Sequence, residues 1–208
     1  MGKYIVIDGM DGSGKGTQID LLRRHYPNAV FTREPGGSEY AEEIREVLLN
    51  SRNTSQATAL THFLLFWAAR EDHMEHTVMP ALRAGKTVFS DRGDSSTFAF
   101  QICGDKHEKL RELFGTMRGI VFGGHQRRFP DYYVILDLPA DVSRARARQG
   151  EQNHYDARDL EYYKRVRTGF YFFMKRRPSV HVLPVENLSP GEVFKLLTTF
   201  LERREVFP

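Results

Sequence analysis

Residues 7–18, IDGMDGSGKGTQ, constrain the fold most, because they place four glycines and one lysine in twelve residues. An apolar run at 4–8 precedes them and indicates a buried strand, and a helical pattern begins at Lys15. Glycines let backbone N–H groups curl around an anion, and a helix amino terminus adds partial positive charge. Gly9, Gly14 and Lys15 fit the spacing G-x-x-x-x-G-K. A phosphate-binding loop is therefore predicted, with a purely structural glycine turn as the alternative.

This loop predicts a site for the phosphate tail of a nucleoside triphosphate, with the Lys15 ammonium at the β- and γ-phosphates. Gly16 stands where a magnesium-binding hydroxyl usually follows the lysine, and Thr17 comes one residue later. Magnesium contact is therefore expected through water, Thr17 or a carboxylate. The sequence GSGKGTQ resembles the same loop of adenylate kinases. The predicted ATP-binding residues are Gly9, Gly12, Ser13, Gly14, Lys15, Gly16 and Thr17.

Strand and helix patterns alternate along the rest of the chain. Strands are predicted at 29–32, 87–90, 132–138 and 180–185, and helices at 38–49, 56–82 and 190–204. Pro80 is expected to bend or end the long helix. Parallel strands need crossover connections, so this order predicts an α/β domain with a mainly parallel sheet. Ligands of such sheets bind at the carboxyl ends of strands, where DGMDGSGKGT and SDRGDSST both begin.

The composition fits a single domain with a hydrophobic core, since 40% of the 208 residues are hydrophobic. The most apolar run, 63–69, is far shorter than the roughly 20 residues that cross a bilayer, and no signal-peptide pattern is present. The one cysteine, Cys103, excludes an internal disulfide. We expect a cytoplasmic protein without membrane contact. The net charge of +3 is spread over short basic groups, so no specific nucleic-acid binding is expected.

Five further segments resemble thymidylate kinases and occur in that family's order. They are TREPGGSEYAEEIREVLL at 32–49, LLFWAAR at 64–70, DRGDSSTFAFQ at 91–101, PDYYVILDLP at 130–139 and KRVRTGF at 164–170. The resemblance implies a P-loop NTPase fold, a three-layer α/β/α sandwich with a five-stranded parallel sheet and a short mobile lid. It also implies transfer of the γ-phosphoryl of ATP to dTMP, giving dTDP and ADP in dTTP synthesis, with Mg²⁺ as cofactor. A homodimer that pairs through helices, with 63–69 as a contact, is implied as well.

Phe66 and Arg70 are four residues apart in a helical pattern, which puts an aromatic ring and a planar donor on one face. A flat base that stacks on Phe66 can offer a carbonyl such as thymine O4 to Arg70. Taken alone, Phe66 lies in so apolar a run that a core position is favoured. The resemblance favours the base-binding role instead.

The resemblance also implies a site for the acceptor phosphate. Arg45 and Arg92 are isolated arginines near predicted turns or helix ends, and either can pair with a phosphate. Periodicity alone favours Arg45 as a partner of Glu42 or Glu46. By resemblance, Asp11 faces the acceptor sugar hydroxyl, and Phe100 lies near the sugar. The residues that the resemblance assigns to dTMP are Asp11, Arg45, Phe66, Arg70, Arg92, Thr97, Phe100 and Gln101.

Asp91 follows a predicted strand and is the main candidate for holding magnesium, through water, with a helix cap as the alternative. Glu34 and Thr17 are further candidates. Asp137, in YVILDLP, is expected to serve in a turn or cap rather than at a metal.

Residues 144–158 look like the family's lid, which closes over the phosphates and supplies an arginine to the transferred group. Arg148 is expected to fill this role, with Arg144, Arg146 and Arg158 behind it. The predicted catalytic residues are Lys15, Arg92, Asp11 and Arg148.

Two departures from the family pattern leave other functions open. His154 replaces an arginine in the lid, and Gly93 replaces a tyrosine after Arg92. A smaller residue at 93 can widen the acceptor site, so a kinase of broader deoxynucleotide range is one alternative. A P-loop nucleotide-binding module or ATPase without transfer to a nucleotide is the other.

Overall fold

The computed structural model describes residues 2–124, 129–148, 158–175, 177 and 179–206. Its centre is a sheet of five described strands: β1 (Tyr4–Gly9), β2 (Val30–Arg33), β3 (Val88–Asp91), β4 (Tyr132–Asp137) and β5 (Val180–Pro184). The strand order is β2-β3-β1-β4-β5, which places β1 in the middle. Each pair of neighbouring strands is parallel, so the predicted five-stranded parallel sheet is confirmed.

Helices connect and flank these strands. They are α1 (Lys15–His25), α2 (Glu39–Asn50), α3 (Ala59–His73), α4 (Met79–Arg83), α5 (Asp94–Ser96), α6 (Arg111–Gly123), α7 (Ala140–Ala147), α8 (Leu160–Met174) and α9 (Pro190–Arg203). Two π-helical segments extend them: Met74–Val78 joins α3 to α4, and Thr97–Gly104 continues α5. Short 3₁₀ turns lie at Thr54–Gln56 and Glu108–Leu110. Across the described ranges, no helix has the length and apolar character needed to span a membrane.

Alternating side chains of β1 contribute to two hydrophobic cores, one on each face of the sheet. Tyr4 and Val6 pack with α3, α6 and α8, whereas Ile5 and Ile7 pack with α1 and α9. Both faces are covered by helices, which explains why the central strands are apolar runs rather than alternating ones. This arrangement is the predicted three-layer α/β/α sandwich.

The central position of β1 brings the glycine-rich loop, residues 9–17, next to the loop that follows β3. Ile7 is in register with Asp91, and the Arg92 N–H donates to the Ile7 carbonyl oxygen over 2.9 Å. Parallel strands end at one edge of the sheet, where α/β proteins bind their ligands. The prediction that the two polar motifs share this edge is confirmed.

The long helical segment around Pro80 ends at Arg83, three residues beyond the proline that was expected to bend or end it. The chain stays helical from α3 to the end of α4, and the π-helical turn Met74–Val78 precedes Pro80. In an α-helix, a proline ring collides with the carbonyl four residues before it. A π turn is wider, because its hydrogen bonds span five residues, so it makes room for the ring within a continuous helix.

A buried polar cluster fixes the start of α5 and the π-helical segment that follows it. Asp94 is ion-paired with Arg118 of α6 and accepts a 2.7 Å hydrogen bond from the Tyr133 hydroxyl. Arg118 donates to the same hydroxyl over 2.9 Å. Burial and the neighbouring Asp94 charge raise the pKa of Tyr133, which keeps the hydroxyl protonated. The cluster therefore ties the segment after β3 to both β4 and α6.

Candidate active site

The glycine-rich loop lies tightly against the edge of the sheet. At Gly9 the φ angle is +143°, and a Cβ there would lie 2.5 Å from the Leu136 carbonyl oxygen of β4. Only glycine fits both the conformation and the close approach. The loop then turns into α1 through Gly14, whose φ is +88°. The glycine spacing in the sequence is thus required by the backbone of the loop.

Lys15 is the first residue of α1, and its side chain is buried beneath the loop. The ammonium donates to the carbonyl oxygens of Gly9 over 3.0 Å and of Met10 over 2.8 Å. Burial, reinforced by the Arg92 charge, lowers the pKa of Lys15 to about 8, although nearby carboxylates oppose the shift. The loop therefore holds a lysine that loses its charge more easily than an exposed one.

Arg92 joins the glycine-rich loop to the loop after β3. Its backbone is left-handed, with φ of +70°, a conformation that non-glycine residues adopt uncommonly and at some cost in strain. The guanidinium is ion-paired with Asp11 and lies 3.7 Å from Asp8. It also donates to the Ser96 hydroxyl over 3.1 Å and to the Gly9 carbonyl oxygen over 3.3 Å. Burial disfavours this charge, but the surrounding carboxylates outweigh burial and raise the pKa of Arg92.

Asp8 belongs to the same network, although no sequence pattern singled it out. It is completely buried and accepts hydrogen bonds from the hydroxyls of Ser95, over 2.5 Å, and Ser96, over 2.7 Å. The Gly9 N–H donates to it over 2.8 Å. Burial raises the pKa of Asp8, against the opposing effect of Arg92. The sequence does contain a signal for Asp8, because it places a carboxylate between an apolar strand and a glycine-rich loop.

A cavity of about 250 Å³ lies beside this network, bordered by α2, α3, α5 and the π-helical segment Thr97–Gly104. It brings together every residue that the sequence assigns to dTMP: Asp11, Arg45, Phe66, Arg70, Arg92, Thr97, Phe100 and Gln101. Lining residues that were not assigned to dTMP include Arg33, Pro35, Leu49, Ser96, Asp105 and Tyr162. They come from segments far apart in the chain, so local patterns do not reveal them.

Arg70 is the most buried cation of the cavity, at 2% exposure. Its Nε donates to Glu34 over 2.7 Å, and one terminal nitrogen donates to the Thr97 hydroxyl over 3.0 Å. The other terminal nitrogen, Nη1, has no hydrogen-bond partner among the described residues. The guanidinium also lies 4.4 Å from the ring centroid of Trp67. Three neighbours thus fix its orientation.

Aromatic residues line the cavity on two sides. Phe66 is half-buried on α3, one turn before Arg70, and it lines the cavity. Phe100, in the π-helical segment, lies with its ring centroid 5.2 Å from the Arg92 guanidinium carbon and 6.0 Å from the Phe170 ring. Gln101 is buried next to it, and its Oε1 has no hydrogen-bond partner in the described part of the chain.

Arg45 does not form the ion pair with Glu42 or Glu46 that helix periodicity favours. Glu42 is paired with Arg33 over 2.8 Å, and Glu46 accepts a 2.6 Å hydrogen bond from Asn50. Arg45 instead donates to the Pro35 carbonyl oxygen over 2.7 Å. Burial, together with the charge of Arg33, lowers the pKa of Arg45. Its charge is therefore presented to the cavity.

Gly93 is extended and lines the cavity directly after Arg92. A Cβ at this position would lie 2.9 Å from a methyl of Val6, a buried residue of β1. Any larger residue here therefore requires Val6 to shift. The glycine is explained by this close packing as well as by the space that it leaves in the cavity.

The acidic residues proposed for magnesium differ in their surroundings. Asp91 ends β3 at the edge of the cavity, and its buried Oδ1 has no hydrogen-bond partner among the described residues. Glu34, by contrast, is paired with Arg70 and lies 3.4 Å from His73. Its oxygens serve these two side chains rather than an ion. Thr17 is exposed in the first turn of α1.

The helix that begins the predicted lid packs directly on the glycine-rich loop. On α7, the Ser143 hydroxyl donates to the Asp11 carbonyl oxygen over 2.6 Å, and Arg146 donates to the Gly12 carbonyl oxygen over 3.4 Å. A Cβ at Gly12 would lie 2.6 Å from the Arg146 Cβ, so a side chain there would separate helix and loop. Hydrogen bonds and close packing therefore join the two segments.

The four arginines of the predicted lid lie in different places. Arg144 is half-buried on α7, Arg146 contacts the loop, and Arg148 is exposed at the carboxyl end of α7. Arg158 is paired with Asp105 over 3.0 Å, at the border of the cavity. Residues 149–157, which include His154, lie outside the described residues.

Asp137 does not act in the turn or cap that the sequence suggests. Both of its oxygens accept hydrogen bonds from Arg167, over 2.9 and 2.7 Å, and the Tyr171 hydroxyl donates to it over 2.8 Å. The hydrogen bonds with Asp137 raise the pKa of Arg167. This bidentate pair anchors α8, the helix after the lid, to the end of β4.

Comparisons with known proteins agree with this geometry. A sequence model of the family described as thymidylate kinase matches residues 7–195. The thymidylate kinase of Ruegeria pomeroyi is 39% identical over 175 residues, covering 81% of this chain and 80% of that protein. The thymidylate kinase of Symbiobacterium thermophilum is 36% identical over 213 residues, covering 100% and 95%.

A solved structure gives the same result for the fold. The crystal structure of thymidylate kinase from Ehrlichia chaffeensis matches with a TM-score of 0.75 and 28% identity, covering 97% of this chain and 98% of that one. The strand order, the glycine-rich loop and the neighbouring cavity are thus accompanied by similarity along nearly the whole sequence. The chain belongs to the thymidylate kinase family of ATP-dependent nucleoside monophosphate kinases.

Proposed function

We propose that this chain transfers the γ-phosphoryl group of ATP to dTMP, giving ADP and dTDP for dTTP synthesis, and that the cavity beside Arg92 binds dTMP. The observation that carries the proposal is the cavity itself, in which an arginine fixed on three sides keeps one nitrogen without a protein partner among the described residues. The cavity adjoins a glycine-rich loop with a buried lysine. A nucleotide acceptor and a triphosphate donor therefore have adjacent sites.

In the proposed reaction, an oxygen of the dTMP phosphate attacks the γ-phosphorus in line. The bond to the β–γ bridging oxygen breaks, and ADP leaves with the electron pair of that bond. Lys15 and the backbone N–H groups of residues 9–17 hold the triphosphate. Arg45 and Arg92 hold the acceptor phosphate. Catalysis then consists of positioning and charge stabilisation, and no protein nucleophile is required.

Mg²⁺ is the proposed cofactor, and the residues present fit it. Asp91 offers a buried carboxylate oxygen without a hydrogen-bond partner in the described part of the chain, and hard cations prefer oxygen ligands. Asp91, through water, and Thr17 would hold the ion. When bound, it neutralises charge on the β- and γ-phosphates. The described residues contain no group of three or more His, Cys, Asp or Glu suited to a metal. Phosphate oxygens and water would supply the remaining ligands.

Arg70 and Gln101 are proposed to read the base while Phe66 stacks on it. Thymine presents a carbonyl acceptor beside an N–H donor, which matches the arginine donor and the amide oxygen that have no partner among the described residues. Cytosine presents the reverse pattern and leaves both protein groups unpaired, at a cost of about 1–3 kcal/mol for each buried group. Asp11, held by Arg92, faces the sugar hydroxyl, and the bulk of Phe100 favours a deoxyribose.

We propose that residues 144–158 form the lid of a single P-loop kinase domain spanning 1–208, and that Arg148 supplies the charge to the transferred group. Arg148 directly follows α7, which packs on the glycine-rich loop. The helix therefore holds the start of the lid next to the loop proposed to bind the donor phosphates. The substrates are nucleotides of the cell interior, so a cytoplasmic location is proposed.

The first prediction concerns acceptor choice. ADP release from ATP and Mg²⁺ is measured with dTMP, dUMP, dGMP, dCMP or AMP, and with no acceptor. We expect strong turnover with dTMP and a loss of about tenfold or more in kcat/KM when Arg70 is changed to alanine, because a charged hydrogen bond to the base disappears. Lys164→Ala removes an exposed positive charge and serves as the control.

Two outcomes would overturn the assignment. Similar turnover with several monophosphates would indicate a kinase of broader range, which Gly93 in the cavity wall would then explain. ADP release that needs no acceptor would indicate an ATPase.

The second prediction is a pH dependence. With a pKa lowered to about 8 by burial and by Arg92, the Lys15 ammonium is present below that pH and lost above it. We expect kcat/KM for ATP to fall as pH rises through about 8, because this parameter reports enzyme without ATP. At saturating ATP the phosphates keep Lys15 charged, so kcat/KM for dTMP should stay level there. A level profile for ATP up to about pH 10, near the ordinary lysine pKa, would contradict the account.

The third prediction is a homodimer. Phe63, Trp67 and Ala69, within the run expected to pair with a partner, are buried in the chain's own core. The exposed apolar side chains of α2 and α3 are Tyr40, Val47, Leu60 and Leu64. We propose that this face pairs two chains. Light scattering is expected to give the mass of two chains for the unmodified protein and the mass of one chain for the Leu64→Asp variant. A monomeric unmodified protein would refute the pairing.

A further inference from the structure

A chain of buried polar side chains runs from β2 through α3 to the base-reading arginine. The Thr32 hydroxyl lies 2.7 Å from Nε2 of His73, and Nδ1 of His73 lies 3.4 Å from Oε1 of Glu34. Glu34 accepts from Arg70 with its other oxygen, Oε2, over 2.7 Å. His73 is completely buried and Glu34 is 4% exposed. The mechanism above assigns no chemical step to either residue.

The tautomer of His73 follows from the hydrogen-bonding capacity of its neighbours. A carboxylate is only an acceptor, so a neutral imidazole satisfies Glu34 when its proton is on Nδ1. Nε2 is then an acceptor and receives a hydrogen bond from the Thr32 hydroxyl. Neither Nδ1 nor Oε1 forms a hydrogen bond with any described residue, and at 3.4 Å the two atoms face each other just beyond ordinary hydrogen-bond geometry. With this tautomer, a small closing movement would give each of the two buried atoms a partner.

The loop at Gly37 holds the histidine against Thr32. A Cβ at Gly37 would lie 2.3 Å from the Thr32 hydroxyl oxygen and 2.6 Å from Cδ2 of His73, and its φ is +90°. The Thr77 hydroxyl donates to the Gly37 carbonyl oxygen over 2.6 Å. The imidazole therefore has little room to rotate, and its Nδ1 faces Glu34.

The orientation of Arg70 is the result of this chain. An arginine side chain has five N–H donors in a rigid plane, so fixing two nitrogens sets the direction of the third. Glu34 holds Nε and Thr97 holds one terminal nitrogen. Nη1 is the nitrogen that remains for a ligand.

We propose that Glu34 and His73 are positioning residues that set base specificity, with His73 orienting Glu34 and Glu34 orienting Arg70 so that Nη1 meets a base carbonyl. This inference rests on the proposed function, since it concerns discrimination between thymine and cytosine in the same cavity. Neither residue touches the reacting atoms. Loss of either is expected to affect acceptor discrimination and to leave the ATP site unchanged.

The test is the ratio of kcat/KM for dTMP to that for dCMP, measured with KM for ATP and the unfolding midpoint in urea. In Glu34→Ala the ratio is expected to fall about tenfold or more, as for the loss of one specific base contact. KM for ATP should stay within about twofold, the scatter common to such context-dependent measurements. Glu46→Gln alters an exposed carboxylate of α2 that accepts a hydrogen bond from Asn50, and should keep the ratio.

A matched pair at position 73 separates positioning from packing. The amide nitrogen of asparagine occupies nearly the place of Nδ1, and that of glutamine nearly the place of Nε2. His73→Asn retains a donor for Glu34 and should keep most of the discrimination. His73→Gln loses that donor and should lower the ratio about as much as Glu34→Ala. Both remove an imidazole from the same buried site, so their unfolding midpoints provide the control for packing.

The outcomes distinguish the inference from the function on which it rests. If the unmodified enzyme does not favour dTMP over dCMP, the proposed base reading itself fails. If it favours dTMP and both Glu34→Ala and His73→Gln keep the ratio, the positioning role fails while the function stands. Equal losses for His73→Asn and His73→Gln, in step with their unfolding midpoints, would likewise overturn the proposal in favour of a structural role.

Discussion

The guanidinium of Arg92 is the interaction on which the rest of the site depends. It contacts the glycine-rich loop at Asp11 and the Gly9 carbonyl, lies close to the buried Asp8, and borders the cavity proposed for the acceptor. One cation thus joins the proposed donor and acceptor sites. The parallel sheet makes this possible, because β1 and β3 are neighbours and end at the same edge. A left-handed backbone at Arg92 then turns the side chain back across that edge.

The sequence predicts features whose causes are local. The helix Lys15–His25 begins at the predicted residue, since the glycine loop defines its start. The spacing of Phe66 and Arg70 predicts their common face. Asp8 and Glu34 could not be placed in the same way, because their partners lie 87 and 36 residues away. Such contacts depend on how the elements pack, and an apolar or charged pattern along one helix carries no information about them.

Charge is distributed unevenly across the site, and this fits two anionic substrates. Arg70 is neutralised by Glu34, at the end of the cavity assigned to the uncharged base. Lys15 and Arg45 are held by carbonyl oxygens, which orient a cation without cancelling its charge. Arg92 lies between, paired with carboxylates yet still a cation at any ordinary pH. Positive charge is therefore retained where phosphate groups are proposed to meet and balanced where a neutral ring is proposed to bind.

The central claim is that the cavity beside Arg92 holds dTMP with its base on Arg70 and its phosphate toward the glycine-rich loop. The most direct measurement is a crystal structure of the protein with dTMP and ADP. The account predicts a thymine carbonyl about 2.7–3.2 Å from Nη1 of Arg70, the usual hydrogen-bond range, and the monophosphate on Arg45 and Arg92. A base bound elsewhere, or a nucleotide turned so that its phosphate contacts Arg70, would contradict it.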